Sequence, residues 1–162
     1  IQNFSRRERI YGEPRDRAGQ ACTCGRDLMG TRRLSRELAL QVLFQQEFAT
    51  RQSVEAGLET FRNSFEAAPD VWSYALALLK AVESNHIEID AWIQKSSEHW
   101  TLKRMALVDL NIMRLATCEL KFAPEPVPPA VVINEAIEIS KKYGTVDSAA
   151  FVNGILDQIM KH

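Results

Sequence analysis

Three arginines near the start of a helical pattern are the side chains best suited to chemistry in this sequence. Arg32 and Arg36 lie one helical turn apart with Arg33 between them, so their guanidinium groups are expected to collect on one side of a helix. Arginine attracts phosphate and contacts it through planar, bidentate hydrogen bonds. The cluster therefore indicates an anionic partner, although the same pattern is typical of the solvated first turn of an amphipathic helix.

The distribution of charge along the chain also favours a local anionic partner. The 162 residues have a net charge of only −1, but residues 1–36 hold nine arginines against four acidic residues, whereas residues 37–162 have a net charge of −6. A basic end on an acidic body attracts an anion at one place and not over the whole surface.

Patterns typical of catalysis, cofactors or metals are missing from the sequence. It has no Gly-rich phosphate loop, no H-E-x-x-H pair and no nucleophile elbow. Cys22 and Cys24 form an isolated C-x-C, Cys118 falls in an apolar helical pattern and the three histidines are scattered. A zinc site needs about four ligands, usually in two spaced pairs. We therefore predict a protein that is not an enzyme and that holds no cofactor and no metal.

The composition is typical of a soluble globular protein, with 46% hydrophobic and 25% charged residues. No apolar run approaches the roughly 20 residues that span a membrane, and the N-terminus lacks the apolar block of a signal peptide. We therefore predict a cytoplasmic protein without a membrane segment.

The chain changes character at about residue 30. Residues 1–30 are rich in arginine, glycine and polar residues and have almost no apolar periodicity, so we interpret them as a flexible extension. The chain begins with Ile1, and Met29 directly precedes the helical pattern. We interpret the extension as either non-native or upstream of a true start at Met29, and residues 31–162 as one helical domain.

Apolar residues recur with helical spacing from Thr31 onward, and no strand alternation appears. The pattern predicts an all-α fold of about six or seven helices, the first beginning at Thr31. Thr101 is the expected N-cap of a helix that runs to Leu120.

The last third of the chain, INEAIEISKKYGTVDSAAFVNGILD, contains two amphipathic patterns that meet at Gly144. Gly144 is expected to take the left-handed conformation after a helix end. Asp147 and Ser148 are candidate N-caps that restart a helix. Periodicity alone therefore predicts a helical hairpin that closes a core.

Polar residues inside these patterns resemble a known family. Residues 134–157 contain NEA, K, YG, DS and FVNGILD in that order, which resembles the C-terminal signature of the NusB family of bacterial transcription antitermination factors. Residues 32–44, RRLSRELALQVLF, resemble the arginine-rich first helix of that family, and residues 100–120 match its tryptophan–leucine–arginine, aspartate, arginine and glutamate–leucine positions. The chain departs from the family at Leu34, where another arginine is frequent, and at Phe44, where tyrosine is frequent.

The resemblance implies a fold, a function and partners. The implied fold is two small helical bundles packed into one domain. The implied function is recognition of the boxA element of nascent rRNA transcripts together with NusE, a ribosomal small-subunit protein. The resulting complex helps RNA polymerase to pass terminators.

The resemblance also implies which residues bind RNA: Arg32, Arg33, Arg36, Gln41, Phe44, Asp147 and Phe151. The arginines would contact phosphates. Exposed phenylalanine rings would stack with unpaired bases, which is worth about 1–3 kcal/mol per base. Gln41 and Asp147 would hydrogen-bond base edges, and such contacts favour single-stranded RNA over a duplex. Both phenylalanines also lie near an apolar stripe, which is typical of core residues.

Asp109 and Arg104 are the residues that the resemblance places on the NusE-binding surface. Two alternatives to an RNA-binding antitermination factor stay open at this point. One is a homodimeric interaction protein whose arginines are buried between the two copies. The other is the RNA-binding domain of an rRNA-modifying system, since an rRNA cytosine methyltransferase carries the same helical fold at its N-terminus.

Overall fold

The computed structural model describes residues 26–48, 53–97, 99–123 and 125–162, with side chains from residue 30 onward. This part of the chain contains seven α-helices, one single-turn 3₁₀ helix and no strand, which confirms the predicted all-α class. The helices are α1 Arg26–Gln46, α2 Val54–Arg62, α3 Pro69–Ser84, α4 His86–Ser96, α5 Leu107–Lys121, α6 Pro129–Tyr143 and α7 Ser148–Lys161, and the 3₁₀ turn η1 is Leu102–Arg104. None of the helices described is both long and apolar enough to cross a lipid bilayer.

Helix α5 forms the centre of the domain. Every residue from Asp109 to Glu119 is buried, and the helix contacts α1, α3, α4, α6 and α7. A helix enclosed on all sides is usually apolar around its whole circumference. Five buried residues of α5 are polar instead, and each of them needs a partner inside the protein: Asp109, Asn111, Arg114, Thr117 and Glu119.

Arg114 shows how such a residue is accommodated. Its guanidinium donates two hydrogen bonds to Asp90 of α4, at 2.8 and 2.9 Å, and one to Glu47 at the end of α1, at 2.8 Å. A further bond of 3.0 Å reaches the side chain of Asn111. Arg114 therefore joins α1, α4 and α5, and its role is structural.

The first helix begins earlier than predicted. Helix α1 starts at Arg26, five residues before Thr31, so the predicted start of the first helix at Thr31 is wrong. Arginine, leucine and methionine at positions 26, 28 and 29 are good helix formers, and they extend the helix despite Gly30. Residues 1–25, with Cys22 and Cys24, lie outside the described residues, and the domain boundary therefore stays a prediction.

The central helix begins later than predicted. Thr101 does precede a helical segment, but that segment is η1, and the Thr101 side chain makes no capping hydrogen bond. Helix α5 starts at Leu107 after Ala106, so the predicted N-cap at Thr101 is wrong. The apolar stripe continues through this interruption because Met105, in extended conformation, is buried as well.

The turn between α6 and α7 is as short as predicted, but Gly144 is needed for a different reason. Its backbone is extended, with φ −94° and ψ −165°, and is not left-handed. A Cβ atom on Gly144 would lie 2.5 Å from Cβ and Oγ of Ser148 and 2.8 Å from the carbonyl oxygen of Ser140. Glycine therefore permits the close approach of α6 to α7. Asp147 precedes α7 but makes no capping bond with its side chain, whereas the backbone N–H of Thr145 donates to the Ser148 hydroxyl at 2.8 Å.

Candidate nucleic-acid interface

The three predicted RNA-binding arginines lie on α1 but differ in their access to solvent. The side chains of Arg33, Arg32 and Arg36 are 44%, 33% and 5% exposed. The three arginines are therefore not alike as candidate phosphate contacts, because Arg36 is buried. That residue faces α5, because the contacts of α1 with α3 and α5 cover this side of the helix.

Arg36 belongs to a buried ion pair. Its guanidinium donates two hydrogen bonds to the carboxylate of Glu119, at 2.8 and 2.7 Å, and its second terminal nitrogen lies 3.6 Å from Glu135. The hydroxyl of Tyr74 donates to the same Glu119 carboxylate. Burial raises the pKa of Tyr74 to about 12, and the negative charge of Glu119 adds to the rise. This cluster joins α1, α3 and α5, and it holds the Arg36 charge in a buried ion pair with Glu119.

Arg33 and Arg32 are also paired with carboxylates, but at the surface. Arg33 donates to both oxygens of Glu135, at 2.8 and 2.6 Å. Arg32 donates one bond of 2.7 Å to Glu125, and its guanidinium lies 4.0 Å from the centre of the Tyr74 ring. The sequence pattern could not identify these three glutamates as partners, because each lies more than 80 residues from its arginine.

The pairing changes the electrostatic character of the patch. The arginine cluster consists of Arg32, Arg33 and Arg36 with their partners Glu125, Glu135 and Glu119. The three positive and three negative charges cancel, so the cluster has no net charge although the sequence of α1 is basic here. A phosphate that contacts Arg32 or Arg33 therefore approaches a carboxylate of the same protein, whose negative charge opposes it. The patch is consequently a set of positioned donors and not a broad positive surface.

Phe44 and Gln41 lie together on the side of α1 that faces the end of α6. Phe44 is exposed, and its ring centre lies 5.3 Å from that of Phe48. Both Phe44 and Gln41 line a shallow groove of about 300 Å³. The other lining residues are largely apolar: Leu40, Gln45, Phe61, Val108 and Tyr143.

Asp147 and Phe151 lie one turn apart at the start of α7. Asp147 is exposed and Phe151 is half-buried. The Phe151 ring packs edge-on against Trp100, with ring centres 6.1 Å apart and planes at 72°. Trp100 and Phe151 line a second groove of about 390 Å³, together with Lys95 and His99. From the sequence, Trp100 is identified only as a position that matches the family resemblance. Its large aromatic side chain outside the apolar stripes is the feature that could have placed Trp100 in a surface site.

The two predicted NusE-binding residues lie in different environments. Arg104 is exposed, and its guanidinium lies 5.5 Å from the centre of the Trp100 ring. Asp109 is only 7% exposed, and its buried Oδ1 atom has no hydrogen-bond partner among the residues that the structure describes. The expectation of an exposed contact at Asp109 is therefore wrong, because the first turn of α5 already packs inside the domain. Its neighbour Val108 reaches the Phe44 groove.

Metal-binding and thiol chemistry find little support in the part of the chain that the structure describes. No group of three or more His, Cys, Asp or Glu side chains there is arranged to hold a metal. Cys118 is fully buried, and burial raises the pKa of its thiol to about 12. A thiol of this kind is protonated at neutral pH and does not act as a nucleophile.

Comparison with known proteins links this surface to a family. The profile of the NusB family matches residues 33–161, which include six of the seven helices entirely and most of α1. The chain belongs to the NusB family. All of the predicted site residues fall inside the NusB match except Arg32, which precedes it by one position.

Named relatives of this NusB chain are antitermination proteins. The transcription antitermination protein NusB of Bdellovibrio bacteriovorus is 52% identical over 130 residues, which are 80% of this chain and 95% of the relative. The protein of the same name from Myxococcus xanthus is 44% identical over 135 residues, which cover 81% of this chain and 95% of the relative.

Solved NusB structures share the fold of this chain. T. maritima NusB matches with a TM-score of 0.73 and 39% identity, over 81% of this chain and 91% of that chain. A crystal structure of the antitermination factors NusB and NusE in complex with double-stranded RNA also matches with a TM-score of 0.73, at 28% identity over 82% of this chain and 98% of that chain. The predicted NusB fold is confirmed by these matches.

Proposed function

We propose that this protein is a transcription antitermination factor that binds boxA-type single-stranded RNA together with NusE and supports rRNA transcription by RNA polymerase. The observation that carries the proposal is the likeness to a NusB that was crystallised with NusE and double-stranded RNA, over 98% of that chain. The relatives named as antitermination proteins support the same role. We further propose that the role is one of binding without catalysis, and that the protein acts in the cytoplasm, where a bacterial transcription factor meets RNA polymerase.

Arg32 and Arg33 are the proposed phosphate contacts, because they are the arginines of the cluster with solvent access. Their guanidinium groups are held in place by Glu125 and Glu135, so little side-chain entropy remains to be lost on binding. With only two such contacts, few phosphates are neutralised and the affinity of the protein alone should be low. A second protein that adds contacts is therefore part of the proposal.

Phe151 and Asp147 are the proposed base contacts. The half-buried Phe151 ring is held by Trp100 and borders an open groove, so an unpaired base can stack beside it. Lys95 and His99 on the same groove are donors that can reach the backbone of such a strand. Asp147 is exposed one turn away and can accept a hydrogen bond from a base edge. Contacts of these kinds need unpaired bases, which is why we propose a single strand as the ligand.

The groove beside Phe44 is the proposed contact with NusE. Gln41 and Phe44 were expected to bind RNA, but the largely apolar lining of the groove fits a protein side chain better than a phosphate. Arg104 remains a proposed NusE contact at the surface. A Phe44→Ala variant distinguishes the two assignments, since loss of NusE capture by the protein without RNA supports a protein contact.

Fluorescence anisotropy with labelled RNA tests the proposed function. The protein, mixed with equimolar NusE, should bind single-stranded boxA RNA more tightly than a scrambled strand and more tightly than a boxA duplex. Either protein alone should bind boxA more weakly than the mixture. Equal affinity for boxA and the scrambled strand would contradict the proposal. Tighter binding of the duplex would show that the ligand is double-stranded and not single-stranded.

The two alternatives to an antitermination factor have less support, and the mass of the complex in solution tests the first of them. A homodimer with arginines buried between two copies has less support, because Arg36 is already buried within one chain and Arg32 and Arg33 are paired there. A role in an rRNA-modifying system has less support, because the relatives are antitermination proteins over 95% of their own length. Light scattering with and without NusE should give a heterodimer in the mixture, whereas a homodimer that persists in the presence of NusE would favour the first alternative.

A further inference from the structure

The three ion pairs of the arginine cluster differ in how easily a phosphate can replace the carboxylate. The Arg36–Glu119 pair is buried on both sides. Arg33 is held through two bonds by Glu135, whose side chain is only 9% exposed. The third pair, Arg32–Glu125, has one hydrogen bond, and the Glu125 side chain is 69% exposed. Of these three arginines, Arg32 is therefore the one that can exchange its partner at least cost.

The segment that carries Glu125 is built to hold it near Arg32. It connects α5 to α6 and reads Glu125-Pro-Val-Pro-Pro, so three of the four residues after Glu125 have a fixed φ angle. Val127 is half-buried and packs against the hydrophobic core. The segment, α1 and the start of α6 border a small open cavity of about 180 Å³ whose lining includes Arg32, Arg36 and Glu125. A carboxylate on such a restricted segment loses little entropy when it pairs with an arginine.

We propose that Glu125 competes with RNA phosphate for Arg32 and so lowers the affinity of this surface for any RNA that lacks further specific contacts. The inference rests on the proposed RNA-binding function and adds a residue that sets the affinity of this surface for RNA. In the free protein the Arg32 guanidinium donates a hydrogen bond to Glu125 and lies 4.0 Å from the centre of the Tyr74 ring. An incoming phosphate must either displace Glu125 or bind the remaining N–H groups of Arg32 close to the negative charge of Glu125. An RNA with base contacts at Phe151 can overcome this cost more readily than an arbitrary strand.

The test compares a Glu125→Gln variant with wild type in the presence of NusE. Labelled boxA RNA and a scrambled strand of equal length are titrated across a salt series. Loss of the competing charge should tighten binding of the scrambled strand by about two- to fivefold at low salt, the range expected for one surface ion pair. The salt dependence should steepen by up to about 0.7 in the logarithmic slope. The boxA strand should gain affinity by a similar factor, because both strands meet the same carboxylate, so the preference for boxA should stay level.

Two controls separate competition for Arg32 from a general change of charge. Glu55→Gln removes the same charge from an exposed ion pair, with Lys80, that joins α2 to α3 outside the cluster. It should leave RNA affinity at the wild-type value. Placing Glu125→Gln in an Arg32→Gln background should abolish the gain, because the arginine to be released is then missing. Circular dichroism of each variant verifies that the helix content is unchanged.

Each outcome bears on the inference. Unchanged or weaker binding by Glu125→Gln, an equal gain in Glu55→Gln, or a gain that survives in the Arg32→Gln background would each overturn it while leaving boxA binding by the wild type intact. If the wild-type protein with NusE does not bind boxA at all, the proposed function fails and the inference fails with it.

Discussion

Replacing Arg36 with alanine should lower the free energy of unfolding of the domain. This loss of stability should be larger, as a free energy, than any direct loss of RNA contacts. The guanidinium makes two hydrogen bonds to Glu119, at 2.8 and 2.7 Å, between side chains that are 5% and 1% exposed. Without Arg36, the Glu119 carboxylate stays buried with the Tyr74 hydroxyl as its remaining direct partner among those described. Breaking one side of a buried ion pair costs about 3–5 kcal/mol of unfolding free energy. The melting temperature should fall by roughly 10–20 °C for a domain of this size.

Urea denaturation followed by circular dichroism measures this loss. Arg32→Ala is the matched control, because its partner Glu125 is 69% exposed and the loss of this surface ion pair should cost less than about 1 kcal/mol. A double variant, Arg36→Met with Glu119→Leu, should recover most of the stability, since apolar residues of similar volume replace a buried pair at little net cost. An Arg36→Ala domain within about 1 kcal/mol of wild type would refute the reasoning. For the same reason, removing all three arginines at once cannot test RNA binding, because the protein would lose stability together with its contacts.

Three further predictions concern other sites. Asp109→Lys should lower the free energy of unfolding by about 1–3 kcal/mol, because it puts an unpaired charge of opposite sign in a nearly closed site at a helix N-terminus; urea denaturation that shows a loss below about 0.5 kcal/mol would restore the exposed NusE contact. Phe151→Ala should weaken boxA binding by the NusE complex with little change in salt slope, since stacking releases no counterions; a slope that falls as affinity falls would contradict stacking. In a variant without Cys22 and Cys24, Cys118 should resist a thiol reagent at pH 8, because the pKa of its thiol is raised from 9 to about 12. The thiol should react after unfolding, and rapid reaction in the native state would contradict its burial.

The sequence was sufficient to predict the helical class and the position of the terminal hairpin, because both depend on apolar spacing within one segment. Residues such as Val152 and Ile159 on α7 are buried as their 3.6-residue period predicts. The same local reasoning misplaced the start of α5, since Thr101 has the chemistry of an N-cap but is followed by a 3₁₀ turn.

The candidate site was harder to predict, because its character depends on contacts between distant segments. Arg32, Arg33 and Arg36 are neighbours in sequence, yet their accessibility is set by Glu125, Glu135 and Glu119 on other elements. A spacing rule can place three arginines near one another but cannot tell which of them faces α5. Asp109 was misjudged for the same reason, since burial at the start of α5 depends on the helices around it.

Gly144 illustrates a position where the residue was identified correctly and the physical reason was not. A glycine after a helix usually indicates a left-handed residue. Here the glycine is extended, and the space for a Cβ atom is taken by Ser148 of the following helix. The requirement comes from the packing of α6 against α7, which local sequence does not reveal.

The most direct test of RNA binding through α1 is the boxA affinity of the NusE complex, measured across a salt series for wild type and for an Arg32→Gln, Arg33→Gln variant. Both substitutions lie at partly exposed side chains, so the variant should keep its helix content. Affinity should fall by several-fold or more, and the logarithmic salt slope should flatten by up to about 0.7 for each lost phosphate contact. A folded variant with the wild-type affinity and the wild-type slope would contradict the account and remove α1 from the RNA-binding surface.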